Sequence, residues 1–376
     1  MSKYYSLFIV FGVFLASSCQ HKKAESSVIA VKTDTVITEA RLPPLEAGDV
    51  FLKNKNPFES IIELKGEHIA NDTFIFKPGE PHMIICGNKL ITSNLSRQQG
   101  DGQVLIFNYP EMVHLKSLAP RGNGANEFAY PSIIPTPDTT LYAYIFESTR
   151  EQLYKLDKQG NITPDFHFPT SKQGGYWSSK QDIVNLGPED FIYADDSKTG
   201  KSIFRVYKEK DSVITKELLS LQLNPKRKSP FTYIGDFGVN PKKKRMVYAY
   251  KYFKILKFID METNEVRTLN FQQGDFNDGS LKMADGLDQN VTHYWGMCAQ
   301  DNYVYCLYSG RTPVEVMRDF GKGKHYIYVE QFDWNGNPVK KYKLDHWGYF
   351  SVDEKNKRII MMSTNDDDPF FFFQLP

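Results

Sequence analysis

Five similar β-hairpins spread over residues 104–337, a strand without a partner at either end of that array, and no run of ten or more residues with a helical period together predict an all-β fold. The architecture that satisfies all three is a six-bladed β-propeller, closed by pairing of an N-terminal strand with the C-terminal strand. At 376 residues, with 41% apolar content, the chain can bury a core of that size. Its 22 Tyr and 27 Phe suit pleated strands whose rings pack across neighbours.

Residues 1–18 read as a signal peptide. Lys3 supplies a positive start, Tyr4 to Leu15 is almost wholly apolar, and Ala16-Ser17-Ser18 lead directly into Cys19. The apolar run is too short to span a membrane, since a dozen residues at about 1.5 Å each reach about 18 Å against a hydrocarbon core of about 30 Å. The small residues before the cysteine resemble the lipobox of bacterial lipoproteins, with Ala16 where that pattern favours Leu. The resemblance implies lipidation of Cys19 and a membrane partner gripped at about 0.8 kcal/mol per buried methylene. Residues 19–46 are then the lipidated cysteine and a flexible tether, polar, without period and carrying Pro43-Pro44. Surface-exported lipoproteins of Bacteroidetes carry acidic residues after the cysteine. Gln20-His21-Lys22-Lys23 stands here instead, so an outer-membrane lipoprotein facing the periplasm is expected.

The propeller is assigned to residues 47–376. The hairpins begin at Val104-Leu105-Ile106-Phe107, at Leu153-Tyr154-Lys155-Leu156-Asp157, at Ile203-Phe204-Arg205-Val206-Tyr207, at Ile255 to Asp260, and at Tyr328 to Asp333. Their turns, such as Lys158-Gln159-Gly160-Asn161 and Trp334-Asn335-Gly336-Asn337, hold the Asn and Gly that tight reversals need. Inner strand pairs precede the hairpins, for example Met246 to Tyr250 and Tyr303 to Tyr308. Five hairpins leave Phe58 to Leu64 and Phe370 to Leu375 over, and joining these two completes a sixth blade while hiding a very apolar tail. Residues 272–292 and 311–324 read as insertions on a face of the ring, where ligands are often met. A pair of β-sandwiches would fit the strand density but not the repeated hairpins.

Arg121-Gly122-Asn123-Gly124-Ala125-Asn126-Glu127-Phe128, followed by Pro131, resembles the G-x-G-x-G-E-F…P signature of the Bacteroidetes TolB-like six-bladed propeller lipoproteins, relatives of NHL-type propellers. Tyr308-Ser309-Gly310, Phe332 to Pro338 and Val352-Asp353-Glu354 extend the resemblance over nearly the whole mature chain. It implies a fold and a cell-envelope location and no activity. The motif reads first as a blade junction, with Arg121, Gly122, Gly124, Glu127, Phe128 and Pro131 shaping the passage between blades.

The common catalytic and phosphate-binding motifs are absent, so no catalytic residue, metal or cofactor is predicted. Lys plus Arg, at 46, nearly cancels Asp plus Glu, at 45, and no global field points to nucleic acid. The basic runs at 226–228 and 242–245 and the acidic run Asp366-Asp367-Asp368 read as solvated loops and a turn. Cys298 and Cys306 flank a turn at Asp301-Asn302. Ideal pairing sets Cys298 opposite Tyr305 and sends Cys306 to the other face, so free thiols are expected.

Propellers take ligands at the channel mouth, and Tyr130, Trp177, Asp236, His293, Trp295 and Trp347 sit near predicted blade starts or in long loops. Their mix of rings and polar groups suits a sugar or a peptide, while packing between blades is an equal reading for Trp177 and the favoured one for Trp295 and Trp347. The expectation is a monomeric binding or scaffolding lipoprotein that engages a protein partner or glycan, rather than an enzyme. The alternative is a calcium-dependent propeller hydrolase or lactonase.

Overall fold

A strand with every residue buried must be covered on both faces, and Arg245–Tyr250 is such a strand. The same holds for Ile359 to Met362 and Phe370 to Phe373. Stacked sheets supply that cover. The computed structural model describes residues 42–52, 56–71, 83–94, 99–170, 178–271 and 289–376. Residues 1–41, with the signal peptide and Cys19, lie outside them, as do Trp177 and residues 272–288.

Three short strands come first: β1 (Gly48–Phe51), β2 (Ile61–Leu64) and β3 (Glu67–His68). Blade 1 follows as β4 (Met83–Cys86), β5 (Lys89–Ser93), β6 (Gly102–Asn108) and β7 (Val113–Pro120). Blade 2 is β8 (Pro131–Ile134), β9 (Leu141–Glu147), β10 (Gln152–Asp157) and β11 (Ile162–His167), and blade 3 is β12 (Gln181–Gly187), β13 (Asp190–Ser197), β14 (Gly200–Glu209) and β15 (Ser212–Ser220). Blade 4 is β16 (Gly235–Asn240), β17 (Arg245–Tyr250), β18 (Ile255–Asp260) and β19 (Val266–Asn270). Blade 5 is β20 (Thr292–Ala299), β21 (Tyr303–Arg311), β22 (Ile327–Asp333) and β23 (Pro338–Leu344), with helix α1 (Pro313–Phe320) inserted between its second and third strands. The tail supplies β24 (Gly348–Asp353), β25 (Arg358–Ser363) and β26 (Phe370–Gln374).

Consecutive strands within each sheet pair antiparallel, and each sheet's first strand touches the first strands of its two neighbours, β24 meeting β4 to close the circle. Six apolar clusters fill the six interfaces between adjacent blades. The six-bladed β-propeller is therefore the fold of this chain.

The ring closes through β26 and β3, with Phe371 opposite His68 and Phe372 opposite Glu67. This corrects the expected pairing of the tail with Phe58 to Leu64. The strand in that stretch, β2, instead adds in parallel to β23 of blade 5, Ile61 opposite Lys341 and Leu64 opposite Leu344. Phe58 is buried, its ring 5.6 Å from that of Phe332. The crossing from blade 5 to blade 6 runs directly over the tail's rings, where a Cβ on Gly66 would lie 3.0 Å from Phe373 and 3.1 Å from Phe371. Only two residues then remain to pair. β1 likewise adds in parallel to β19 of blade 4, so one N-terminal strap covers three successive outer edges.

The strap begins earlier than the tether's expected end. Leu45 is buried between blades 4 and 5, and the Pro43 carbonyl accepts a hydrogen bond from Arg245 Nη2 at 2.8 Å. Arg245 is itself buried and paired with Asp260, unlike the solvated basic loop expected of residues 242–245. Residues 311–324 hold α1, started by Thr312 and Glu315 in a reciprocal capping box. Cys298 stands opposite Tyr305 and Cys306 opposite Met297, and both thiols are free.

Candidate functional site

Because every blade starts at its innermost strand and meanders outward, the connections between blades and the loops joining second to third strands all open on one face of the ring. The opposite face carries mostly short turns, such as 87–88, 188–189, 210–211 and 300–302. The loop-bearing face holds the long segments 121–130, 221–234, 312–326 and 364–369. Most of the sequence-predicted ligand residues fall there.

At the junction of blades 5 and 6 the rings of Trp295 and Trp347 meet edge to face, 5.8 Å between centroids. They line a shallow recess with Leu307, Gly348 and Tyr349 that has room for about one water molecule. Trp295 sits near the start of β20, and Trp347 immediately precedes β24. Phe320 from α1 packs edge-on against Trp347 at 5.8 Å. Lys251, in the loop between β17 and β18, places its Nζ 4.8 Å above the Trp295 ring. The indole Nε1 of Trp295 is buried without a hydrogen-bond partner. An indole N–H can only donate, so this corner lacks an acceptor.

One blade back, Lys254 Nζ lies 4.7 Å from the Tyr308 ring centroid and 5.3 Å from that of Phe271. Burial pulls its ammonium below the usual lysine range; Glu330 opposes that shift and Lys341 adds to it. Glu330 is already engaged, its Oε1 2.7 Å from Lys341 Nζ and its Oε2 accepting from Tyr294 OH at 3.2 Å. Lys341 Nζ also lies 4.4 Å from the centroid of the same Tyr308 ring. His293 stacks on Tyr308 at 6.1 Å, and its backbone N–H donates to the Lys251 carbonyl at 2.7 Å. Burial and the nearby Lys254 charge push the imidazole down to about 3, so it is neutral, and its Nδ1 is buried without a partner.

Trp295 and Trp347 are thus brought together, whereas His293 packs on Tyr308 in the interface of blades 4 and 5. Tyr130 does not join them either, because it ends the passage from blade 1 to blade 2, with Arg121 5.7 Å from its ring. Asp236 lies on β16, one blade from Trp295, where its charge acts on Tyr248 and Cys306.

The motif forms the passage 121–130 between β7 and β8 and ends on Pro131, the first residue of β8. Arg121 bridges to Phe128, Phe128 is buried edge-on to Tyr154, and Glu127 Oε2 accepts from Gly124 N–H at 2.8 Å. Arg121 bonds the Ala129 carbonyl and Gln103 rather than Glu127. Residues 366–368 lie in the turn before β26, where Asp368 pairs with His68 at 3.2 Å. Among the described residues no three His, Cys, Asp or Glu side chains gather as a metal site would require.

Sequence reasoning missed Lys251, Lys254, Glu330 and Lys341. The only signal was two lysines bracketing two aromatics, Lys251-Tyr252-Phe253-Lys254, between two apolar strands.

Six meandering sheets in a closed ring, with one loop-rich face, define a six-bladed propeller protein. More narrowly, the chain belongs to the TolB-like 6-blade propeller-like family, whose profile matches residues 57–355. It is similar to the crystal structure of a member of the DUF4221 family from Bacteroides vulgatus, with a TM-score of 0.52 at 13% identity over 84% of this chain and 96% of that one. It is also similar to regucalcin, a calcium-binding protein from Agrobacterium tumefaciens, with a TM-score of 0.46 at 11% identity over 84% of this chain and 95% of that one. At such identities the likeness is one of fold alone. No curated protein matches the chain.

Proposed function

We propose that the protein is a non-enzymatic binding lipoprotein of the cell envelope, and that its ligand is a glycan held on the loop-bearing face between blades 5 and 6. The observation that supports this is the Trp295–Trp347 recess. The recess itself has room for about one water molecule, so a sugar ring would lie across its aromatic rim rather than fill it. Indole rings accept the C–H side of a sugar ring, and the Lys251 ammonium above Trp295 would meet its oxygen atoms. A lipid at Cys19 would keep this face within reach of envelope polysaccharide.

Tryptophan fluorescence of the soluble domain, titrated with oligosaccharides released from peptidoglycan and lipopolysaccharide, tests the reading. A saturable change that Trp347→Ala abolishes is expected. No response to any of these glycans, from a protein shown to be folded, would overturn it.

A further inference from the structure

We propose that helix α1 and the turn behind it dock the loop-bearing face of blade 5 on an anionic phospholipid surface. At about 3.6 residues per turn, Val314, Met317 and Arg318 share an arc of roughly 100° on α1, while Val316 and Phe320 point the other way. Val316 is buried and Phe320 packs on Trp347, so the first arc faces outward. Val314 is 40% exposed there and Met317 72%, the highest value for any large apolar side chain among the described residues.

The charges sort in the same sense. Both acids of the helix are engaged by the protein, Glu315 in the capping box with Thr312 and Asp319 with Arg311 at 2.6 Å. The cations are not. Arg318, Lys322 and Lys324 are exposed and form no ion pair among the described residues. The turn that carries the two lysines is fixed, because the Lys322 and Lys324 N–H groups donate to the Asp319 carbonyl at 3.0 and 2.9 Å, and Gly323 N–H to that of Phe320 at 2.9 Å. Two apolar side chains fall far short of the roughly 800 Å² that a stable protein interface takes from each partner. A bilayer asks for less: a small apolar wedge with cations at the level of its headgroups. The near-neutral total charge of the chain does not oppose this, because the attraction acts within a Debye length of about 10 Å.

The inference goes beyond the glycan reading and does not depend on it, because Trp347 meets the opposite side of the helix. The mature chain is prepared with Cys19→Ser, so that no lipid anchor contributes. Its sedimentation is measured with vesicles of phosphatidylcholine and of phosphatidylcholine with added phosphatidylglycerol. Binding is expected with the anionic vesicles and not the neutral ones, and it should weaken as salt rises. The triple variant Arg318→Gln, Lys322→Gln, Lys324→Gln should lose at least about tenfold in partition, while Arg318→Lys, Lys322→Arg, Lys324→Arg should keep it. Met317→Ser should lose about threefold or more. Brominated acyl chains should quench the fluorescence of Met317→Trp more than that of wild type.

All of these side chains are exposed, so unchanged melting points certify that each variant is folded. No binding to anionic vesicles, or binding that the glutamine triple variant keeps in full, overturns the proposal. So does a sizing-column shift between wild type and Met317→Ser, which would make this face an interface between copies of the chain.

Discussion

Lys341 Nζ lies 2.7 Å from Glu330 Oε1, and both side chains are buried, 9% and 1% exposed. Glu330→Gln leaves Lys341 and Lys254 as unpaired cations in one aromatic enclosure, which should cost about 3–5 kcal/mol. Adding Lys341→Met removes one of those charges and should return a large part of the loss. Urea unfolding of the two single variants and the double variant measures the coupling. Strictly additive losses would show that the two groups do not act as a pair.

How much of this was legible depends on how local each feature is. Asp333 Oδ1 accepts from the Asn335 and Asn337 N–H groups at 2.9 and 2.8 Å, and Asp157 Oδ1 does the same for Gln159 and Asn161 at 2.9 and 2.8 Å. Such turns close within five residues, so their Asp and Asn stand in the chain as a visible repeat, and the ring of blades follows from counting them. β3 is two residues long and has no period to read. The joining of the two chain ends was therefore legible, while the segment that makes the joint was not. Lys254, Tyr308 and Lys341 come from one loop and two strands in two blades, and only packing brings the two lysine charges onto one ring. For Trp295 and Trp347 the sequence favoured packing between blades, and both rings do pack against the blade 5–6 cluster.

His293 gives a pH signature. Its unfolded value is near 6.5 and its folded value about 3, so the unfolded chain takes up a proton that the folded one refuses. The stability associated with the neutral ring is complete above about pH 6.5 and drains away as pH falls toward 3. The slope is at most about 1.4 kcal/mol per pH unit. Chemical denaturation of wild type and His293→Gln between pH 7 and 4 should give curves that diverge in that sense, the variant falling less steeply. Parallel curves would mean that the ring is not held neutral.

At the blade 1–2 passage, a Cβ on Gly122 would lie 1.9 Å from Glu127 Oε2, the oxygen that accepts from Gly124 N–H at 2.8 Å. Gly122→Ala must therefore expel the carboxylate, and with it that hydrogen bond. Gly122→Ala and Glu127→Ala should each cost about 1 kcal/mol, and the double variant little more than either alone. Thermal or urea midpoints of the three proteins decide it. A double variant that loses the full sum would mean that the glycine serves something other than room for Glu127.

The N-terminal strap makes the strongest test of the architecture. The strap's described residues bury Leu45 and Phe58, cover the outer edges of blades 4 and 5, and give β26 its outer neighbour among the described residues. Burying two large apolar side chains is worth about 1.5–3 kcal/mol each. The exposed backbone of a Phe-rich edge strand also invites pairing with another chain. A soluble protein starting after His68 should melt well below one starting at Leu42 and should elute from a sizing column in associated forms. The longer protein should run as a single small species. If the shortened chain stayed monodisperse with an unchanged melting point, the strap would be an ornament on a ring already closed by the contact between β24 and β4.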